Sequence, residues 1–369
     1  MKKFWFALLF LMPLSIRAQI SSDVQAQELI LKGFDAIYNY NFTQTDEAIR
    51  QLQATYPQHP VVPLMKALEL YWKYMPIKDN SAAVSQYRSY LNQGVNLSRQ
   101  RLDRKENDAE GVFFALASHG YLGLQDNNEG ELMKAVGEAR KAYGYLKQGF
   151  DLMEQYPEFY FTTGLYNYYV EQYPEDHPVV KPVMLFFQNG NKALGLKQME
   201  TGVRKGVFTR AETGLYLGHI YLKHENQPGR AVLLYKPLAD KYPKNPLFNL
   251  YCAESLMLAG HYAEAQPYIQ RLKTLPQKFL QLPVRVLEGM TKEKLDNNAR
   301  QAAVDYELAV KMPFDKAYTK EFSGHAYAGL ARLAARAGDK NRAKTFYKKA
   351  LDLAEYKSTI QEAKTYLKS

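Results

Sequence analysis

The sequence predicts an all-α chain built as a solenoid of stacked antiparallel helix pairs, and three observations predict it. From Val24 onward apolar residues recur at spacings of three and four, with few β-branched runs and no strand-like alternation. The breaks fall at short segments rich in Pro, Gly, Asn and Asp, the composition of turns between helices. One break also repeats: Tyr56-Pro57 with Pro60, Tyr156-Pro157, Tyr173-Pro174 with Pro178, and Tyr242-Pro243 with Pro246. Proline lacks the N–H a helix needs and pushes its predecessor out of the α region, so each Tyr-Pro is expected to close a helix. A stop signal that recurs predicts a unit that recurs.

The length of 369 residues exceeds a typical single domain, which fits a repeat array, and the 46% hydrophobic content is ample for a core. Residues 1–18 read as a signal peptide. Lys2 and Lys3 form a positive start, residues 4–14 an apolar run broken by Pro13, and Ala18 a small residue for cleavage. The run is too short to span a bilayer, which takes about 20 residues, and no later stretch is long and apolar enough. The expectation is an exported protein, periplasmic or extracytoplasmic, free or peripheral to a membrane. An uncleaved anchor or a buried N-terminal helix is the alternative. Loss of Lys2, Lys3 and Arg17 with the leader takes the formal charge from +10 to +7, which argues for no nucleic-acid partner. Cys252 is the single cysteine, so no intramolecular disulfide forms.

Two stretches follow the leader. In residues 19–210 the helical pattern is irregular in period. Ala48, Leu52 and Tyr56 mark a second helix of a pair, residues 64–74 another helix, and residues 112–124 and 133–156 a pair longer than standard. In residues 211–369 the units are clear. Leu217-Gly218-His219-Ile220-Tyr221 opens a helix, and Ala231, Tyr235 and Leu238 lie on the next. Ala253 and Leu256, then Ala265, Ile269 and Leu272, form the following unit, with Ala265 34 residues beyond Ala231. Gly289 precedes Ala302, Tyr306 and Ala309; Leu330, Ala331 and Ala334 precede the turn Gly338-Asp339 and then Ala343, Tyr347 and Ala350. Ile360, Ala363 and Leu367 make one apolar stripe, as expected of a capping helix.

This pattern resembles the tetratricopeptide repeat (TPR). Ala231, Ala265, Ala302 and Ala343 match the family's small residue at the helix crossing, and Tyr235, Ile269, Tyr306 and Tyr347 its large one. The stretch Gly164-Leu165-Tyr166-Asn167-Tyr168-Tyr169, with Lys181-Pro182 and Gly190, resembles exported bacterial TPR proteins of unassigned function. The resemblance implies a TPR-like α-solenoid of five to seven helix pairs whose concave surface binds a peptide or protein, an interaction scaffold and not an enzyme.

No chemical motif competes with that expectation. The histidines His59, His119, His177, His219, His224, His261 and His325 lack metal-binding spacing. Gly190-Asn191-Lys192-Ala193-Leu194-Gly195 looks briefly like a phosphate loop, but its lysine is misplaced and no strand precedes it; a flexible turn accounts for the glycines. Cys252 reads as a small buried side chain, and Asp126-Asn127-Asn128-Glu129 and Asp296-Asn297-Asn298 as caps and turns. No cofactor is implied. Lys340, Arg342, Lys344, Lys348 and Lys349 form a basic face, solvated by default or facing anionic lipid headgroups.

One cluster stands out. Phe159, Tyr160, Phe161, Tyr166, Tyr168, Tyr169 and Tyr173 crowd one segment, with Asn167 among them. Large aromatic clusters are core by default. The alternative is a binding surface, since each tyrosine brings apolar area and a hydrogen-bonding tip. The candidate partner-binding residues are therefore Tyr160, Tyr166, Asn167, Tyr169 and Tyr173, and a small ligand or glycan is the second class of partner.

Overall fold

The computed structural model describes residues 20–369, so the leader and its cleavage position lie outside the described residues. Among the described residues the chain forms eighteen α-helices and no strand. They pair in order: α1 (Val24–Tyr38) with α2 (Phe42–Thr55), α3 (Val61–Lys73) with α4 (Ser81–Arg104), α5 (Ala109–Asn128) with α6 (Leu132–Leu152). Then α7 (Phe159–Asp176) pairs with α9 (Lys192–Lys205) across a connection holding the one-turn helix α8 (Lys181–Met184). The series continues with α10 (Arg210–Lys223) and α11 (Pro228–Lys241), α12 (Pro246–Leu258) and α13 (Tyr262–Thr274), and α14 (Gln281–Lys294) and α15 (Ala299–Ala309). It ends with α16 (Lys320–Arg336), α17 (Lys340–Leu353) and the closing α18 (Lys357–Lys368). There are thus eight pairs and a cap, against the five to seven pairs expected.

Local chemistry sets the boundaries. Asn41, Asn80, Asn245 and Asn298, with Asp108 and Asp339, each accept the backbone N–H three residues on, satisfying a donor that the helix start leaves open. Gly130, Gly260 and Gly338 hold φ of 82°, 84° and 81° in the turns between paired helices, a conformation glycine adopts without cost from a Cβ. Tyr56 and Tyr242 cap the C-termini of α2 and α11, as the Tyr-Pro signal predicts. Tyr173-Pro174 departs from it. Pro174 lies inside α7, which runs to Asp176, so here the proline sits in the last turn instead of ending the helix.

The predicted register holds. Ala231, Ala265, Ala302 and Ala343 are fully buried, and Tyr235, Ile269, Tyr306 and Tyr347 are buried beside them. Glycine on the first helix makes room for the tyrosine on the second: a Cβ on Gly218 would lie 2.5 Å from the Tyr235 ring, and one on Gly289 2.8 Å from that of Tyr306. In register and packing these are helix pairs of the tetratricopeptide type. At the end, Ala363 of α18 is buried against α16 and α17, with Ile360 and Leu367 half-buried beside it, which is the capping role expected.

The inner side of the stack differs from an open groove. Helix α12 is buried nearly all round, over Pro246 to Met257, while its neighbour α11 buries a single stripe. The stack turns tightly enough for distant first helices to meet. Trp72 of α3 packs its ring 5.7 Å from Phe248 of α12, and Tyr38 of α1 lies 5.5 Å from Tyr242 and 5.7 Å from Phe248. Asn245 donates to the Tyr38 carbonyl at 3.1 Å, Tyr242 donates to Asp35 at 2.6 Å, and the Tyr71 and Tyr318 hydroxyls meet at 2.7 Å. Aromatic rings from both halves therefore fill much of the concave face that a peptide was expected to occupy. One core runs from Ile20 to Tyr356.

Candidate functional site

The space left open lies in the long-helix part of the stack. Helices α5, α6 and α7 have 20, 21 and 18 residues, against 14 for α10 and α11. Helix α6 runs along α5 but buries only Leu146 and Gly149 fully, because its apolar face looks into a cavity instead of onto a third helix. That cavity has a volume of about 620 Å³, within the range of sites that take drug-sized ligands. Its floor is Phe34, Leu64 and Leu68 with Phe208, Glu212 and Tyr216; its walls come from α5 (Phe113 to Asn127), α6 (Ala135 to Leu146) and α7 (Phe161 to Tyr173). Val180, Met184 and Phe187 from the α7–α9 connection close one side. Beside these lining residues stand large apolar side chains in solvent: Met133, Val179, Leu185 (86% exposed) and Phe186 (70%).

The five sequence candidates divide. Tyr166, Tyr169 and Tyr173 line the cavity. Tyr166 stacks on Tyr143 with ring centroids 5.4 Å apart and donates to the Gln188 carbonyl at 2.6 Å, so the pair pins the connection at the cavity edge. Tyr173 donates to Asn127 at 3.2 Å. Tyr160 is not among the lining residues; it donates to Glu154 and lies under Lys205. Asn167 is absent from the lining too. Its amide donates to Gln198 at 2.7 Å and its carbonyl accepts the Asn191 N–H at 3.1 Å, a clamp between α7 and α9. The loop reading of the nearby glycines also changes. A Cβ on Gly195 would fall 2.7 Å from the Gly164 carbonyl, so these glycines permit backbone contact between α7 and α9 instead of supplying flexibility.

Three polar groups of the cavity escaped the sequence reading. Glu212 is buried in the floor and accepts the Tyr121 hydroxyl; burial raises its pKa to about 7, outweighing the opposing hydrogen bond. His119, 3% exposed, stacks on Tyr145 at 5.9 Å and bonds through Nδ1 to Glu138 at 2.6 Å. Burial lowers its pKa, more than Glu138 raises it. His219 faces the cavity from α10, and burial drives its pKa down to about 3, so it is neutral. Nε2 of His119 and Nδ1 of His219 are buried without a protein partner. Nothing in the sequence distinguishes these histidines from the other five, because their role depends on which helices face each other. The one local hint is the glycine beside His119: a Cβ on Gly120 would meet no atom within 4 Å.

Elsewhere, Cys252 is fully buried, and burial pushes its thiol up to about 12. Asp126 pairs with Arg88 at 2.6 Å, and Asn298 caps α15. Among the described residues no helix is long and apolar enough to cross a membrane.

No protein-family model and no curated protein matches the chain. Solved structures do. Yeast Tom70 aligns at 16% identity over 83% of this chain, with a TM-score of 0.38; the chain spans 64% of that protein's length. A tetratricopeptide repeat protein from Parabacteroides merdae aligns at 14% identity over 82% of this chain and 99% of its own, with a TM-score of 0.41. Human IFIT1, as a dimer with PPP-AAAA, aligns at 12% identity over 93% of this chain and 84% of its own, with a TM-score of 0.42. The helix-pair architecture of the present chain rests on its own packing, described above.

Proposed function

We propose that this chain is an exported binding protein that takes its ligand into the cavity between α5, α6 and α7. The observation that carries this reading is where the stack leaves room. Its inner face is filled by rings such as Tyr38, Trp72 and Phe248, whereas an apolar space of about 620 Å³ stays open among the tyrosines of α7. Binding by shape and apolar burial suits such a lining: removing apolar surface from water yields roughly 25 cal/mol per Å², and a few fixed polar groups set orientation. The reading favours the small-ligand alternative over a peptide laid along an open concave surface. Export is supported by Lys2, Lys3, the apolar residues 4–14 and Ala18; a precursor that keeps its first residues in cells would refute it.

The cavity is tested with N-phenyl-1-naphthylamine, which fluoresces in apolar surroundings. Saturable binding to the chain lacking residues 1–18 is expected. Gly120→Phe and Ala139→Trp, both on lining residues, should abolish it while leaving the helical circular dichroism and the unfolding midpoint near those of the parent. A dye that does not bind, or that binds both filled variants as well as the parent, overturns the proposal.

A further inference from the structure

The connection between α7 and α9 faces two ways. Met184 and Phe187 line the cavity, while Leu185 and Phe186 between them stand in solvent, and Val179 does the same beside the cavity-lining Val180. The Tyr143 hydroxyl accepts the Gln188 N–H at 3.2 Å and its ring meets that of Phe187 at 5.1 Å, so the connection is seated along α6. Phe186 lies under the Arg140 guanidinium at 5.7 Å. Met133, Arg140 and Lys147 follow one another at intervals of seven residues, close to two helical turns, and so share the edge of α6 beside Phe186. All three are exposed. Gly137 and Gly144, three residues before Arg140 and four after it, lie on the same side, and a Cβ on either would meet no atom within 4 Å. Among the described residues no other element packs there.

An apolar cluster left in water marks a docking surface, and the charge around this one says what docks. Residues 177–190 hold Lys181 and no Asp or Glu. Glu175 and Asp176 before them are engaged by Lys192 and Gln172. Glu138 of α6 is engaged by His119 and Lys141, and the first acid on the Arg140 edge is Asp151, one turn past Lys147. A second copy of this chain would bring cations against cations. Anionic headgroups over hydrocarbon complement both features, because basic side chains meet the headgroups while apolar ones enter the acyl boundary. We propose that Val179, Leu185 and Phe186, with Met133, Arg140 and Lys147 of α6, form a docking face for an anionic membrane surface. Docking there sets the cavity wall made by Met184 and Phe187 against the lipid. The face stands on its own surface chemistry, whether or not the cavity holds a ligand.

The test is co-sedimentation of the chain lacking residues 1–18, which keeps every described residue, with vesicles of phosphatidylcholine alone and of phosphatidylcholine with phosphatidylglycerol at three to one. Roughly fivefold per basic side chain at the surface gives the anionic vesicles an advantage of about 25-fold from Arg140 and Lys147 together, and high salt should screen it. Leu185→Ser with Phe186→Ser, both at exposed positions, should weaken binding to the anionic vesicles about tenfold or more and leave the unfolding midpoint unchanged. Arg140→Gln with Lys147→Gln should remove most of the difference between the two vesicle types. Lys344→Gln with Lys348→Gln, on the basic face of α17, should change nothing. Equal sedimentation of the parent with both vesicle types overturns the proposal, and that comparison needs no variant to fold. An α17 variant that loses as much as the α6 variant also overturns it, by showing diffuse attraction to a basic chain. So does a lipid-free dimer in analytical ultracentrifugation that Leu185→Ser with Phe186→Ser dissociates, which gives the face to a second copy. Failure of N-phenyl-1-naphthylamine to enter the cavity leaves the vesicle result untouched.

Discussion

The same substitution, Gly→Ala, should have opposite signs at two helical glycines. Gly329 of α16 faces the Tyr306 ring of α15: a Cβ there would lie 2.4 Å from Cε2 and 2.5 Å from Cζ, closer than carbon atoms approach. The ring cannot retreat. Gly289 of α14 holds its other face, where a Cβ would be 2.8 Å away, and its hydroxyl is tied to buried Glu293 at 2.8 Å. Overpacking of this kind costs about 1–3 kcal/mol, and the rigid ring places Gly329→Ala in the upper half. Alanine returns about 0.8–1 kcal/mol in helix propensity. The net expectation is a loss of about 1–2 kcal/mol. At Gly120 of α5 the added methyl meets open cavity, so the propensity gain of about 0.8–1 kcal/mol stands unopposed. Urea unfolding of the two variants and the parent, followed by far-UV circular dichroism, should place their midpoints on opposite sides of the parent, about 2–3 kcal/mol apart in total. If Gly329→Ala matches or exceeds the parent, the ring is not wedged and the small–large account of the crossing fails.

Two further outcomes follow from buried groups. Burial alone would raise the pKa of Glu293, but Arg332 at 2.8 Å, Lys294 and the Tyr306 hydroxyl outweigh it and hold the carboxyl down at about 2. A carboxyl depressed on folding adds stability that is present above its unfolded value near 4.5 and lost as pH falls toward 2. Unfolding midpoints of the parent should therefore fall steeply across that window. Glu293→Gln should cost about 1–3 kcal/mol at pH 7, by removing one of the two carboxylates that pair with Arg332 while Glu362 keeps its hold at 3.0 Å, and should flatten the acid limb; parallel acid limbs in the two proteins would contradict the assignment. Cys252, with its thiol near 12 and no exposed surface, should resist maleimide in the native protein and react within minutes in urea; rapid labelling without denaturant would mean that α12 opens.

Much of the architecture was legible because it follows from near neighbours along the chain. Helix period, Asn and Asp caps, Gly turns and the alternation of Ala with Tyr act within one or two turns of helix, so Ala231, Tyr235, Ala302 and Tyr306 could be placed in a packed register before any contact was seen. The tyrosine cluster of α7 was visible too, yet its members could not be sorted. Tyr166 and Asn167 are adjacent in sequence and turn about 100° apart on a helix of 3.6 residues per turn, which sends one to the cavity and the other to Gln198 of α9.

What the chain determines by itself is the unit: an antiparallel helix pair with a small residue facing a large one, repeated. What only the tertiary structure decides is how many pairs the chain takes to turn back on itself, and so which inner faces are filled and which stay open. That depends on contacts between residues some two hundred positions apart, such as Tyr242 with Asp35. Small angles at each crossing add up along a solenoid, and no local pattern records their sum. His119, Glu212 and His219 owe their shared cavity to that sum.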